Sequence, residues 1–180
     1  MKLIIFIILL LFPLLAHAKD FNEYQIKLLT IAYTYGMEIG WPETVQAILL
    51  NESLTTIPKI SYVVGDIKNG FGRRSYGRMQ IQLLTAQFVI TRYGLVEYPT
   101  EETLITRLIT DDDFNIYIGS IYFNYLYKRF RDWEAAVVAY NKGPGWVKNS
   151  REKVSKNLYL KNIRQLIINK VRPFNKKADK

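Results

Sequence analysis

The chain contains no Cys and only one His, His17. The absence of Cys excludes a disulfide scaffold, a thiolate metal site and a cysteine nucleophile. No low-complexity linker and no internal repeat marks a second domain. What is present suits one compact domain. There are 180 residues, 49% of them hydrophobic and 23% charged, with Lys+Arg 25 against Asp+Glu 16 for a formal net charge of +9. That balance fits neither a disordered chain nor a fibre, and the length is enough to bury a core.

The single His stands where it has little chemical use. Met1-Lys2 is a short basic start, Leu3 to Leu15 is an apolar run with Pro13 near its end, and Ala16-His17-Ala18 follows. This is the order of a secretory signal, with small residues at minus three and minus one of a cut after Ala18. An uncleaved membrane anchor is the other reading of this segment; the run is short of the roughly 20 apolar residues that a spanning helix needs, so cleavage is expected, with no stable membrane span after it. No Cys follows it, so lipid attachment there is excluded. Loss of residues 1–18 removes Lys2 and His17, leaving a charge of +8 and neither His nor Cys. A Ser-His-Asp triad, an imidazole-ligated zinc site and a His base are then impossible, and proton transfer falls to Asp, Glu, Lys or Tyr. Export to the periplasm or cell wall also argues against nucleic acid as the partner of a basic chain. Anionic lipid, wall polymer and acidic stem peptides take its place.

The remaining pattern is helical nearly throughout. Residues 22–35 place Tyr24, Leu28, Ile31, Ala32 and Tyr35 at spacings of three and four, an amphipathic helix. Trp41-Pro42 opens a second helix, with Val45, Ile48, Leu49 and Glu52 on one face. Pro58, Gly65, Gly70 and Gly72 interrupt residues 53–76, where Ile60 to Val64 reads as a short strand. A third helix is expected from about Met79 to Tyr93, stopped by Gly94, and a fourth after Thr100 as N-cap. Asp111-Asp112-Asp113 opens the longest, to about Phe130, apolar on several faces and therefore central. Asp132 caps the next, Gly143-Pro144-Gly145 breaks it, and a basic helical tail begins near Ser150, with Asn175 to Lys180 expected to fray.

The carboxylates divide by position. Glu43, Glu101, Glu102, Asp111 to Asp113, Asp132 and Glu134 sit at helix starts, where negative charge is locally stabilised. Asp66 lies in a glycine-rich stretch, open to a turn role or a functional one. Glu52 alone ends an apolar run, Val45 to Asn51. A carboxyl among apolar neighbours loses hydration, which raises its pKa toward the range a general acid needs. A Glu satisfied by hydrogen bonds at a helix end would occupy the same position.

Three clusters bear on that choice: Ala47-Ile48-Leu49-Leu50-Asn51-Glu52-Ser53, Ser75-Tyr76-Gly77-Arg78-Met79-Gln80-Ile81, and Ala139-Tyr140-Asn141-Lys142-Gly143-Pro144-Gly145. In this order on helical elements they resemble the ES, GxMQ and AYN-x-GPG motifs of the SLT-type lytic transglycosylases, a lysozyme-like family of the bacterial cell wall. Asn115-Ile116-Tyr117-Ile118-Gly119 resembles the family's N-I-x-x-G helix, and Trp133 to Val137 the run into AYN. The likeness covers residues 40–165 approximately. It implies a mainly α, lysozyme-like single domain over 19–170, with a short irregular or β segment around residues 58–76, followed by a basic tail at 171–180.

The resemblance also implies roles. Glu52 matches the catalytic acid that cleaves the MurNAc-GlcNAc linkage and then, as base, closes a 1,6-anhydro ring. Tyr140 matches the tyrosine that orients it, Asn141 a supporting polar residue, and Gln80 a sugar-binding amide. Ser53 and Ser75 match small polar positions near the saccharide path, and each also suits a cap. The implied partner is the peptidoglycan strand, with a secretion or conjugation apparatus as a further one, and no cofactor or metal is implied. Three departures stand out: Arg78 where an apolar residue is common, Gln82 after Gln80, and a basic stretch with Lys68, Arg73 and Arg74. Arg78 would either bind an acidic stem peptide or point to solvent. Two other readings use the same residues, a hydrolytic muramidase with Asp66 activating water, and a wall-binding assembly factor without turnover.

Overall fold

The computed structural model describes residues 21–54, 74–95 and 100–178. The expected strand at Ile60 to Val64, Asp66 and the basic residues Lys68 and Arg73 lie outside the described residues. The chain is mainly α, with one two-stranded antiparallel hairpin among the described residues.

Helix α1 spans Glu23–Ile39, four residues beyond the amphipathic stretch read from spacing. Asn22 and Gln25 form a reciprocal capping box at its start, and Gly40 ends it in the left-handed region at φ 80°. Helix α2, Pro42–Leu49, turns back tightly, with the Trp41 amide donating to the Gly36 carbonyl at 2.7 Å. Gly36 makes the crossing possible: a Cβ there would lie 2.4 Å from Pro42 Cα.

The hairpin pairs β1, Ser75–Tyr76, with β2, Ile81–Gln82, in the register Ser75 to Gln82 and Tyr76 to Ile81. Helix α3 therefore begins at Leu83 and runs to Tyr93, later than the start near Met79 that spacing predicts. Helices α4, Glu101–Thr110, and α5, Asp112–Phe130, follow, with Thr100 and Asp111 accepting from the amides of Thr103 and Phe114 as their caps. Helix α6 is Trp133–Lys142, capped by Asp132. Gly143 breaks it at φ 82°, but Pro144 starts a further helix, α7, Pro144–Asn149, so the Gly-Pro-Gly segment is a corner between helices. Helix α8, Leu158–Leu166, passes through a π turn, Ile167–Val171, into α9, Arg172–Ala178.

The core forms around α5, which packs against α1, α2, α3, α4 and α6. Ile116, Ile118, Phe123 and Leu126 on α5 are fully buried, in keeping with a helix apolar on several sides. The end of the chain belongs to this body. Asn175, expected to fray, exchanges hydrogen bonds with the buried Gln46 amide at 2.9 and 3.1 Å, and Phe174 meets Phe21 edge-on. Gln46 also donates to the Leu29 carbonyl at 3.1 Å, so its buried amide is satisfied.

Candidate active site

Glu52 does not continue α2. Residues Leu50–Leu54 form a π turn, wider than an α turn by one residue. In an unbroken α-helix Glu52 would share the face of Val45, Ile48 and Leu49, all fully buried. The wider turn leaves it half-buried instead, in the wall of a cleft.

That cleft has a volume of about 260 Å³ and is lined by Glu52, Ser75, Gln80, Ile81, Gln82, Thr85, Tyr122, Tyr140, Asn141, Lys142 and Gly143. Five of the six residues singled out from sequence therefore converge on one space. Ser53 does not. It is buried, and its hydroxyl donates to the Leu49 carbonyl at 3.2 Å, back along its own helix. This corrects its placement near the saccharide path: the turn that aims Glu52 outward aims its neighbour in.

The hydroxyl on the Glu52 carboxyl belongs to Tyr159. Tyr159 donates to Glu52 Oε1 at 2.7 Å, whereas Tyr140 donates to the Met79 carbonyl at 2.9 Å. Tyr140 still faces the acid closely enough that the carboxylate charge helps to raise its pKa, behind the larger effect of burial. Burial and the same carboxylate hold the Tyr159 phenol well above the usual range too. Both tyrosines are therefore neutral donors across the working pH range. Burial raises the Glu52 pKa, and hydrogen bonds from Tyr159 and Asn51 oppose it without cancelling it. Tyr122, on the cleft wall beside Tyr140, is pushed up to about 12 by burial and by Tyr125.

The Gly77–Gln80 turn supplies the opposite wall. Gly77 and Gln80 both have positive φ, 70° and 50°. Asn115, fully buried on α5, accepts from the Met79 amide at 2.7 Å and donates to the Tyr76 and Leu108 carbonyls at 2.9 and 3.1 Å. Tyr140 holds the Met79 carbonyl, and Gln80 Nε2 donates to the Gly77 carbonyl at 2.8 Å. Met79 itself is fully buried against Gly119, where a Cβ would lie 2.9 Å from the Met79 side chain.

Arg78 neither points to solvent nor reaches the cleft. Its Nε donates to Asp112 Oδ1 at 3.1 Å and its Nη2 to the Tyr24 hydroxyl at 3.0 Å, while Tyr24 in turn donates to Asp112. It braces the turn against the starts of α1 and α5, which replaces both roles considered for it from sequence. The helix-start acids are likewise structural: Glu43 pairs with Arg172, Asp132 with Arg151, Glu134 with Arg164, and Asp113 accepts from Tyr35. Tyr159, Tyr122, Thr85 and Lys142 carry no sequence signal that separates them from core or surface residues. Their place at the site comes only from the packing.

A helical domain that presents one half-buried carboxyl in a polar, tyrosine-walled cleft has the makings of a proton-transfer site, and the family match gives it a class, the lysozyme-like glycan-cleaving proteins. The sequence matches the family model of the transglycosylase SLT domain over residues 29–163, from within α1 to within α8, and the chain belongs to that family. Comparison with curated proteins gives no match. Membership carries a glycan-cleaving function of the lytic transglycosylase type, with peptidoglycan as the polymer.

Proposed function

We propose that the chain is a peptidoglycan lytic transglycosylase in which Glu52 performs both proton transfers. Its neutral carboxyl protonates the oxygen of the MurNAc-GlcNAc linkage, which leaves with the bonding electron pair. The substrate's own N-acetyl oxygen stabilises the oxocarbenium-like C1. The Glu52 carboxylate then takes the proton of the muramyl 6-hydroxyl, whose oxygen bonds to C1 and closes the 1,6-anhydro ring. Glu52 is protonated again at the end, and no water is consumed. Gln80, Asn141 and Ser75 bind sugar along the path, and Tyr159 aligns the acid.

One observation carries this reading. Glu52 stands in the cleft wall with the Tyr159 hydroxyl on its carboxyl, and its burial favours the protonated form. Ordinary glycoside hydrolysis uses two carboxylates, and a substrate that supplies its own nucleophile needs one. Cleavage of the leader after Ala18 and action in the periplasm or wall, close to an envelope-spanning apparatus, complete the proposal. Among the described residues, no helix is long and apolar enough to cross a membrane.

Digestion of purified peptidoglycan with mass analysis of the fragments tests it. Anhydro ends resist borohydride reduction, and Glu52→Gln gives no fragments. Reducible ends would assign a hydrolytic muramidase, and wild-type binding to sacculi without turnover would assign a wall-binding factor.

A further inference from the structure

Helices α2, α6 and α8 each lend one end to the cleft and the other end to a second concavity. At the cleft stand Glu52 after α2 and Tyr140 at the end of α6, with Tyr159 at the start of α8 buried against Glu52. At the far ends, Thr44, Trp133 and Arg164 help to line a groove of about 890 Å³. The two spaces share no lining residue. Thr44 and Glu52 are separated by about 12 Å of helix rise. The groove is larger than the cleft, but no acid of the Glu52 kind stands in it: its one carboxylate, Glu43, is paired with Arg172.

We propose that this groove docks an acidic segment of a protein partner, one that carries apolar side chains between its carboxylates. Charge is the first ground: three cations, Arg164, Arg172 and Lys176, line the groove against one carboxylate, Glu43. The helical run from α8 to α9 forms one wall of the groove and sets Arg164, Ile168, Arg172 and Lys176 along it at intervals of four. Arg164 spends Nη2 on Glu134 and Arg172 spends Nε on Glu43, with side chains 47% and 55% exposed. Each guanidinium keeps further N–H donors for a second carboxylate. Lys176 is exposed and makes no ion pair among the described residues.

The apolar part of the groove is the second ground. Trp41 and Trp133 line it, and Ile168 is 59% exposed beside them. The Trp133 Nε1 is already bonded to Thr44 Oγ1 at 2.9 Å and the Arg164 guanidinium lies over its ring, so the indole serves the groove as an apolar wall and not as a donor. Carboxylates for the cations and an aliphatic side chain beside Ile168 are the chemistry of an acidic peptide. A flat bilayer does not fill a concave site, and wall polymer, whose acidic stem peptides bring the same charge, is told apart from a protein segment by the cleavage arm of the test.

The test uses the purified protein and a synthetic peptide of Glu and Leu residues, with a Gln/Leu peptide as control. Two of the three Trp residues line the groove, so the unlabelled Glu/Leu peptide shifts the indole emission and the Gln/Leu peptide does not. Arg172→Gln with Lys176→Gln weakens binding by about tenfold or more, while Lys27→Gln with Arg92→Gln, the same charge change at exposed sites elsewhere, weakens it by less than about threefold. Cleavage of purified peptidoglycan is unchanged in both. Equal losses in the two double variants, or no change in emission, would overturn the proposal. A parallel loss of cleavage in the groove variant would make the groove a path for wall polymer, and tighter binding of phosphatidylglycerol vesicles through the same residues would make it a membrane contact. If the wild type cleaves no peptidoglycan, the proposed reaction fails while the peptide arm still decides the groove.

Discussion

The carboxyl of Glu52 is held in a place that favours its proton, and this has a cost in stability that can be measured. Its folded pKa is raised, chiefly by burial. The stability it contributes is therefore fully present below its ordinary value of 4.5 and is lost as pH rises through the folded pKa. Glu52→Gln keeps an oxygen for the Tyr159 hydroxyl and never ionises. Its melting temperature should exceed that of the wild type at neutral pH and converge with it below about pH 4, as thermal melts across pH would show. Cleavage should fall by at least about a thousandfold. Tyr159→Phe removes a donor that lowers the Glu52 pKa. The alkaline limb of the pH-rate profile, where the acid loses its proton, should then move upward, with kcat reduced by about tenfold. An unmoved limb would show that the hydrogen bond does not tune the acid. Glu52 stood out in sequence as a carboxyl closing an apolar helical run, but its role came from the resemblance carried by the three motifs and not from its position. Tyr159 did not stand out: it is 107 residues away, and nothing in Asn157-Leu158-Tyr159-Leu160 distinguishes a tyrosine that reaches the cleft carboxyl from one that fills a core.

Among the elements, those with their own caps were readable and those shaped by a neighbour were not. Thr100, Asp111 and Asp132 each accept from an amide three residues on, and such signals sit entirely in local sequence. The stretch Met79 to Gln82 has helical spacing yet forms a turn and a strand, because Asn115 on α5 claims the Met79 amide and two nearby carbonyls. A side chain from another helix decides the backbone there. Asn115→Leu fills the volume but strands one amide and two carbonyls, and should cost about 3–5 kcal/mol by denaturant unfolding. Gly77→Ala should cost at least about 3 kcal/mol, since the position has φ 70° and a Cβ would stand 2.1 Å from the Leu108 carbonyl oxygen. Gly119→Ala presses on Met79, whose Cε can shift but whose Cβ, also 2.9 Å away, is tied to the turn, and should cost about 2 kcal/mol. If Gly77→Ala were no worse than Gly119→Ala, the turn would not be pinned as described. Because the turn carries Gln80, variants that loosen it should also raise KM for peptidoglycan.

At the scale of the whole molecule, the order of the three motifs on helical elements made the resemblance to the lysozyme-like class legible, while the fate of the chain's end was not. A run of Lys and Arg reads as a solvated tail, and its few anchors are dispersed: Phe174 on Phe21, Asn175 on Gln46, Arg172 on Glu43. Of these, the Asn175 contact matters most, because Gln46 is fully buried and its amide oxygen accepts from Asn175 at 2.9 Å. Deleting residues 172–180 leaves that oxygen without its donor and uncovers Phe21. The expected loss is about 2–3 kcal/mol, which lowers the melting temperature by roughly 5–10 °C. The exposed Arg172–Glu43 pair adds little to that sum. Asn175→Ala alone should reproduce about half of the loss, whereas Lys176→Ala and Lys177→Ala should leave stability unchanged. Since α9 lies at the end of the body remote from Glu52, the shortened chain should still cleave peptidoglycan at 25 °C within about twofold of the wild-type rate. A shortened chain that melted at the wild-type temperature would return residues 172–180 to the status of a solvated tail. One that stayed folded but lost cleavage would tie the two ends of α2, α6 and α8 together more closely than their separate linings imply.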